Sequence, residues 1–311
     1  METRRLGALE VSAVGLGCNN FGMRIDADAT RRVVDAAIDA GINYFDTAES
    51  YGRGLSEEYL GRALGARRSQ VLVATKWGHT ASLADGERGG APAQIRARLE
   101  GSLTRLGTDY VDHYQLHRRD PDTPVEETLG CLAELRAEGK IREIGCTHFA
   151  AGELVAAAEA AAARDLPGFA SVQNHYSLLT RAPETDGVLD ACERLGVAFV
   201  PYFPLESGLL TGKYRKGVER PEGSRLAVWG DRAGAFIDDD KLEVVERLIE
   251  WSRARGHRLL DLALSWHTSN PLVASVIAGA TSPRQVTDNV AASRWRLTAA
   301  ERAEVGAVLA T

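Results

Sequence analysis

Three apolar, β-branched runs in this 311-residue chain end in polar residues of different type. INYFD (42–46) ends at Asp46, VLVAT (71–75) runs into Lys76, and DYVDHYQLH closes on His117. A tyrosine, Tyr51, follows Asp46 on the next loop, in YFDTAESYG. A phenol loses its proton only near pH ~10 and is a poor acid at neutral pH unless its anion is stabilised. A nearby ammonium does that, and a carboxylate keeps the ammonium charged where water is scarce. A histidine can donate to the oxygen that receives the proton. Together the four types suit the protonation of a carbonyl oxygen as it gains negative charge. Singly, Asp46 could cap a helix, Lys76 and His117 could be surface loop residues, and Tyr51 could pack on a rim. The joint placement at successive strand ends argues for chemistry.

The elements that must position these residues follow from periodicity. Short strand-like runs occur at 11–17, 42–46, 71–75, 110–116, 141–146, 170–174, 197–203 and 272–278. Between them, 28–40, 93–106, 125–138 and 150–165 carry helical spacing, and Gly41, Gly107, Gly139 and Gly196 stand where helices should stop. Strands alternating with helices imply a parallel sheet, and eight such units predict an α/β protein of the (β/α)8 TIM-barrel class. Its sites form at the carboxyl ends of the strands, and right-handed connections make successive strands neighbours. RRLGALEVSAV reads as an N-terminal β-hairpin turning at Gly7-Ala8 and capping the barrel floor. The stretch 205–240 and a C-terminal helix over 298–310 exceed a plain barrel. No linker divides the chain, so residues 1–311 are expected to form a single domain. A doubly wound nucleotide-binding sheet is the rival, but GLGCNNFG (15–22) has Asn20 where the third glycine belongs, and the acidic residues that follow, Asp35 and Asp39, are on a helical segment.

Composition narrows the classes. Apolar residues are 44% and charged residues 26%, ordinary for a soluble domain. A net charge of -6 and a pI of about 5.7 argue against nucleic-acid or anionic-membrane partners. The basic pairs Arg67-Arg68 and Arg118-Arg119 read as solvated surface. No apolar run approaches the ~20 residues of a membrane span, and Arg4-Arg5 lacks the features of a twin-arginine leader. Cys18, Cys131, Cys146 and Cys192 are far apart, suggesting neither a zinc site nor a disulfide framework. A cytoplasmic protein with reduced thiols is expected.

The segments FDTAESYG, VATKWG, DHYQLH, IREIGCTHF, VQNHYSLLTR, PYFPLESGLLTGKY and VIAGATSPRQVTDN resemble those of the aldo-keto reductase family over almost the whole chain. The resemblance implies the same barrel, with Tyr51 as general acid, Lys76 and Asp46 tuning it, and His117 orienting a small-molecule carbonyl. It implies NADP(H) across the rim: nicotinamide on Tyr202 with Gln173 at its carboxamide, and pyrophosphate in the run Phe203, Pro204, Leu205, Ser207, Gly208, Leu210 to Lys213. Gly279, Thr281, Gln285, Asp288 and Asn289 would form the adenosine end, with Arg225 and Arg284 candidates for a 2′-phosphate. Gly17, Cys18, Asn19, Asp46, Thr147 and His148 complete the implied cofactor set. The pattern is similar to the branch holding potassium-channel β subunits and many bacterial reductases. Three departures from the family bear on cofactor binding. Thr147-His148 stands for the usual Ser-Asn, Phe203 for a serine, and Gly279 and Gln285 stand where many members have Lys and Arg, which leaves NAD(H) open.

Other residues carry competing readings. His113 and His117 are spaced like HxxxH, but on a strand they lie about 13 Å apart at ~3.3 Å per residue, too far to share a metal. No metal is expected, and His113 reads as an interior histidine. His175 is a pocket candidate, and Trp77 and Trp229 read as loop residues near the mouth. Short-chain dehydrogenase chemistry fails for want of YxxxK. A cofactor-holding redox sensor with negligible turnover is the alternative to an enzyme. Substrate choice is expected to lie in loops 77–92, 118–124 and 206–238.

Overall fold

The computed structural model describes residues 1–84 and 86–310 (of residues 231, 232 and 235, the backbone alone). Residue 85, in the loop expected over 77–92, and residue 311 lie outside the described residues. The first two strands, β1 (Thr3–Leu6) and β2 (Leu9–Ser12), form the expected antiparallel hairpin, with Leu6 opposite Leu9. Gly7 turns it at a φ of 56°, and Glu143 leaves no room there for a Cβ. The expected 11–17 strand is therefore two elements, because Ser12 and Ala13 carry the chain from hairpin to barrel.

Eight parallel strands follow: β3 (Val14–Gly17), β4 (Tyr44–Asp46), β5 (Leu72–Trp77), β6 (Val111–Leu116), β7 (Ile141–Thr147), β8 (Ser171–Gln173), β9 (Ala198–Phe199) and β10 (Val276–Gly279). Their order, β10-β3-β4-β5-β6-β7-β8-β9, is sequential around the curl. Parallel bridges Phe199–Val273 and Tyr202–Ile277 join β9 to the β10 segment and complete the (β/α)8 barrel.

The helices form where periodicity and stop signals agree. Ala27–Asp39 starts on Asp26, whose carboxylate accepts the Ala29 amide at 2.8 Å, and buries Val33, Val34 and Ala37. Pro92–Leu106 opens with proline in its first turn and stops at Gly107, φ 64°. Val125–Ala137, Ala151–Ala163 and the C-terminal Ala299–Ala310 match expectation within two residues. The apolar faces of the helices and outward strand residues such as Tyr114, Ile144 and Val172 form one continuous core. No helix among the described residues is long and apolar enough to cross a membrane.

The barrel interior holds a polar layer beneath the rim. His113 Nδ1 lies 2.7 Å from the Tyr44 hydroxyl and Nε2 lies 3.1 Å from Ser171 Oγ. Both ring nitrogens are thus engaged, as an interior histidine requires. Gly145 on β7 makes room for it, since a Cβ there would meet His113 Nε2 at 2.4 Å.

Candidate active site

Asp46, Lys76 and His117 come from the ends of adjacent strands β4, β5 and β6. Alternation along β5 sends Thr75 and Trp77 outward and Lys76 inward. Lys76 is fully buried, and its Nζ lies 2.6 Å from Asp46 Oδ2 and 2.9 Å from the Thr47 carbonyl. The side-chain amides of Gln115 and Gln173 both donate to Asp46 Oδ1, at 3.1 Å. The carboxylate is therefore held on both oxygens. Tyr51 starts the short turn Tyr51–Gly54, and Lys76 Nζ lies 5.1 Å from its ring centroid. The His117 ring meets the Tyr51 ring edge-on, centroids 5.8 Å apart. His117 Nδ1 is buried and has no partner among the described residues.

The electrostatics refine the sequence expectation. Burial raises the Tyr51 phenol above its ordinary value, and the Lys76 charge and hydrogen bond, pulling down, do not overcome it. The stabilising pull of the lysine expected from the sequence is present, but desolvation is the larger effect at this depth. Burial pulls Lys76 down, but Asp46 and Tyr51 outweigh it and raise the ammonium above its usual value. Burial, then the Lys76 charge, lowers His117 to about 2. At neutral pH the cluster holds a protonated phenol, an ammonium and a neutral imidazole.

A cavity of about 920 Å3 opens over this cluster. Its wall includes Gly17, Asn19, Asp46, Tyr51, His117, His148, Gln173, Tyr202, Phe203, Pro204, Leu205, Ser207, Gly208, Lys213, Arg225, Gly279, Thr281, Arg284, Gln285, Asp288 and Asn289. Three residues of the expected cofactor set lie behind the wall. Cys18 is buried, with its thiol on the Leu16 carbonyl. The Thr147 hydroxyl donates to the His117 carbonyl, so it braces the strand end. Leu210 packs in the apolar core. Lys76 touches the cavity only through its partners.

The tryptophan reading also changes. Trp77 is not a loop residue: it ends β5, is fully buried, stacks on Tyr114 at 4.3 Å and donates to the Gly89 carbonyl at 3.0 Å. Trp229 packs on Phe236. Arg118 is exposed, as expected of a solvated surface residue, and also stands in the cavity wall. Arg67 and Arg68 are instead tied down, on Asp35 and Asp112.

The segment after β9 is strained where it lines the cavity. Phe203, Glu206 and Ser207 have φ of 53°, 45° and 56°, and Gly208 has 98°. Such non-glycine conformations cost roughly 1–3 kcal/mol each and persist where surroundings over-determine them. Glu206 supplies the constraint. Its Oε1 accepts from His175 at 2.8 Å, Thr180 at 2.8 Å and Ser177. His175 in turn stacks on Tyr202, centroids 5.4 Å apart and 22° from parallel. His148, itself at φ 60°, places Nδ1 3.4 Å from the Tyr202 hydroxyl. Sequence reasoning missed Glu206 and Gln115, as well as Asn20, whose side chain accepts from Arg225 at 3.0 Å.

Comparison with known proteins adds an independent line. The family model described as "Aldo/keto reductase family" matches residues 13–310. A probable voltage-gated potassium channel subunit beta of Oryza sativa subsp. japonica is 36% identical over 94% of this chain and 91% of its own. The uncharacterized oxidoreductase YrpG of Bacillus subtilis is 36% identical over the same shares, 94% and 91%. An L-glyceraldehyde 3-phosphate reductase of Escherichia coli O157:H7 is 33% identical over 91% of this chain and 84% of its own.

Proposed function

This chain belongs to the aldo/keto reductase family of oxidoreductases, and from that we propose that it reduces an aldehyde, ketone or sugar-like carbonyl to an alcohol, with Tyr51 as proton donor. The observation that carries the reading is the buried Lys76–Asp46 pair beneath Tyr51 at the cavity floor. A phenol held above its ordinary pKa keeps its proton until an oxygen in contact with it gains charge. The Lys76 ammonium then stabilises the phenolate that remains, and Asp46 keeps that ammonium charged. His117, neutral, offers a hydrogen-bond donor to the same oxygen without competing for the proton.

The donor set fits NADP(H), which when bound supplies the hydride. Gly279 lines the cavity, and a Cβ there would come within 3.2 Å of Asn20 Nδ2. The turned amides of residues 206–208 and the Lys213 ammonium suit a pyrophosphate. Tyr202 offers an aromatic face, with Gln173 beside Asp46. Arg225 is a half-buried cation for a 2′-phosphate. Arg284 serves that role less well, since its side chain is 91% exposed and lies 3.7 Å from Asp288.

The test is NADPH and NADH oxidation with a panel of aldehydes, ketones and sugars. Tyr51→Phe is expected to lower kcat by roughly 10²–10⁴-fold, the usual yield of a positioned acid, with cofactor affinity nearly intact. Turnover persisting in the variant would remove Tyr51 from the role. The likeness to a protein named a channel β subunit supports one alternative, a redox-sensing subunit that releases cofactor slowly. Stopped-flow cofactor release separates the two.

A further inference from the structure

The cavity wall is more basic than the protein it belongs to. Among the described residues it carries the cations Arg24, Arg118, Lys213, Arg225, Arg258 and Arg284 against the carboxylates Asp46, Glu222 and Asp288, in a chain of net charge -6. Two of those carboxylates are already matched. Asp46 holds Lys76, and Asp288 lies 3.7 Å from Arg284 and 4.0 Å from Arg258. Five of the wall cations come from the segments 20–24, 213–225, 258 and 279–289, where the proposed cofactor phosphates leave them work to do.

Arg118 stands apart. It follows His117 directly, at the Tyr51 end of the cavity, and is exposed there. Among the described residues it makes no ion pair or hydrogen bond, whereas its neighbour Arg119 holds Glu153 at 3.2 Å. Its charge reaches the groups at the cavity mouth: it helps lower the imidazoles of His79, His117 and His148 and acts in the same direction on Tyr202. With burial as the largest cause, His148 falls to about 4, so these rings are neutral at physiological pH. Among the described residues, the mouth over the proton donor therefore presents one guanidinium without an ion partner, and the wall carboxylate at this end, Asp46, is held by Lys76. A guanidinium offers a planar fork of donors matched to an oxyanion.

We propose that the carbonyl substrate carries an oxyanion group, a carboxylate or a phosphate, and that Arg118 holds this group while the carbonyl lies between Tyr51 and His117. Arg118 is then a specificity-determining residue. This rests on the carbonyl-reductase reading above.

The experiment compares matched pairs under NADPH and NADH: benzaldehyde with 4-carboxybenzaldehyde, and glycolaldehyde with glycolaldehyde phosphate. The acidic member of at least one pair is expected to have the higher kcat/KM by about tenfold or more, the size of one charge-assisted hydrogen bond. In Arg118→Gln that ratio collapses towards one through a raised KM for the acidic member. Arg119→Gln, whose guanidinium is paired elsewhere, keeps the wild-type ratio. The pair that shows the preference tells carboxylate from phosphate. Equal kcat/KM within both pairs, or a preference that survives Arg118→Gln, overturns the proposal and leaves the reductase reading standing. No oxidation of either cofactor with any of the four aldehydes overturns both.

Discussion

Lys76→Met tests the arrangement at its most buried point. The Lys76 and Asp46 side chains are 0% and 3% exposed, with 2.6 Å between the charged atoms. Deleting the ammonium leaves Asp46 Oδ2 without its partner, while Oδ1 keeps the Gln115 and Gln173 amides. Stranding one charge of a buried pair costs about 3–5 kcal/mol. Asp46→Asn strands the other, leaving the ammonium with the Thr47 carbonyl and Tyr51, and should cost a similar amount. The double variant Lys76→Met/Asp46→Asn has no buried charge at that point and should recover part of the sum, a coupling of roughly 2–3 kcal/mol for groups in direct contact. At an unfolding entropy of about 2.1 cal/mol/K per residue over 311 residues, each single variant should melt about 6 °C lower.

Urea unfolding followed by tryptophan fluorescence measures all four corners of the cycle. Activity supplies a second readout, because Lys76 lowers the Tyr51 pKa against burial. Without it the phenolate is dearer still, and both Lys76 variants should lose most turnover even where the double variant regains stability. Additive single effects, or a Lys76→Met protein within 1 kcal/mol of wild type, would show that the pair is hydrated and the account of Tyr51 wrong.

Two further outcomes follow from the buried histidines and the barrel interior. Burial holds His113, His117, His267 and the partly buried His148 near 3, 2, 3 and 4, well below the unfolded value. Their contribution is thus present above pH ~6.5 and lost as pH falls, since the unfolded chain takes up protons the folded one refuses; at pH 5.5 that is on the order of 1 kcal/mol each. Glu49, raised by burial to about 6, works the other way and offsets roughly 1 kcal/mol. Urea titrations should therefore find about 3 kcal/mol less stability at pH 5.5 than at pH 7.5, and a flat profile would mean these imidazoles are hydrated. Gly145→Ala should cost roughly 1–3 kcal/mol by overpacking, because the new methyl meets His113 Nε2 and Ser171 Oγ; wild-type stability in the same assay would show that the interior layer yields.

Much of this was legible because period-two and period-3.6 stretches alternate cleanly, and Asp46, Lys76 and His117 break apolar runs where a barrel strand ends. Alternation also explains several misreadings. Thr147 shares the inward face of β7 with Gly145, but its hydroxyl is spent on the His117 carbonyl, and His148, past the strand end at φ 60°, lines the cavity instead. Trp77 follows inward Lys76 and must point outward, onto Tyr114. Gln115 shares the inward face of β6 with His113 and His117, so the same rule could have found it. Glu206, Asn20 and Arg118 were out of reach for another reason. They act from loops whose course is set by contacts distant in the chain, as when Glu206 gathers His175, Ser177 and Thr180. The sign of the Tyr51 shift was also out of reach, because it is a contest between a neighbouring charge and depth, and residue types reveal only the charge. Depth wins here, which makes the phenol a stronger keeper of its proton. That is the property a donor needs if it is to release the proton to a nascent alkoxide and not to water.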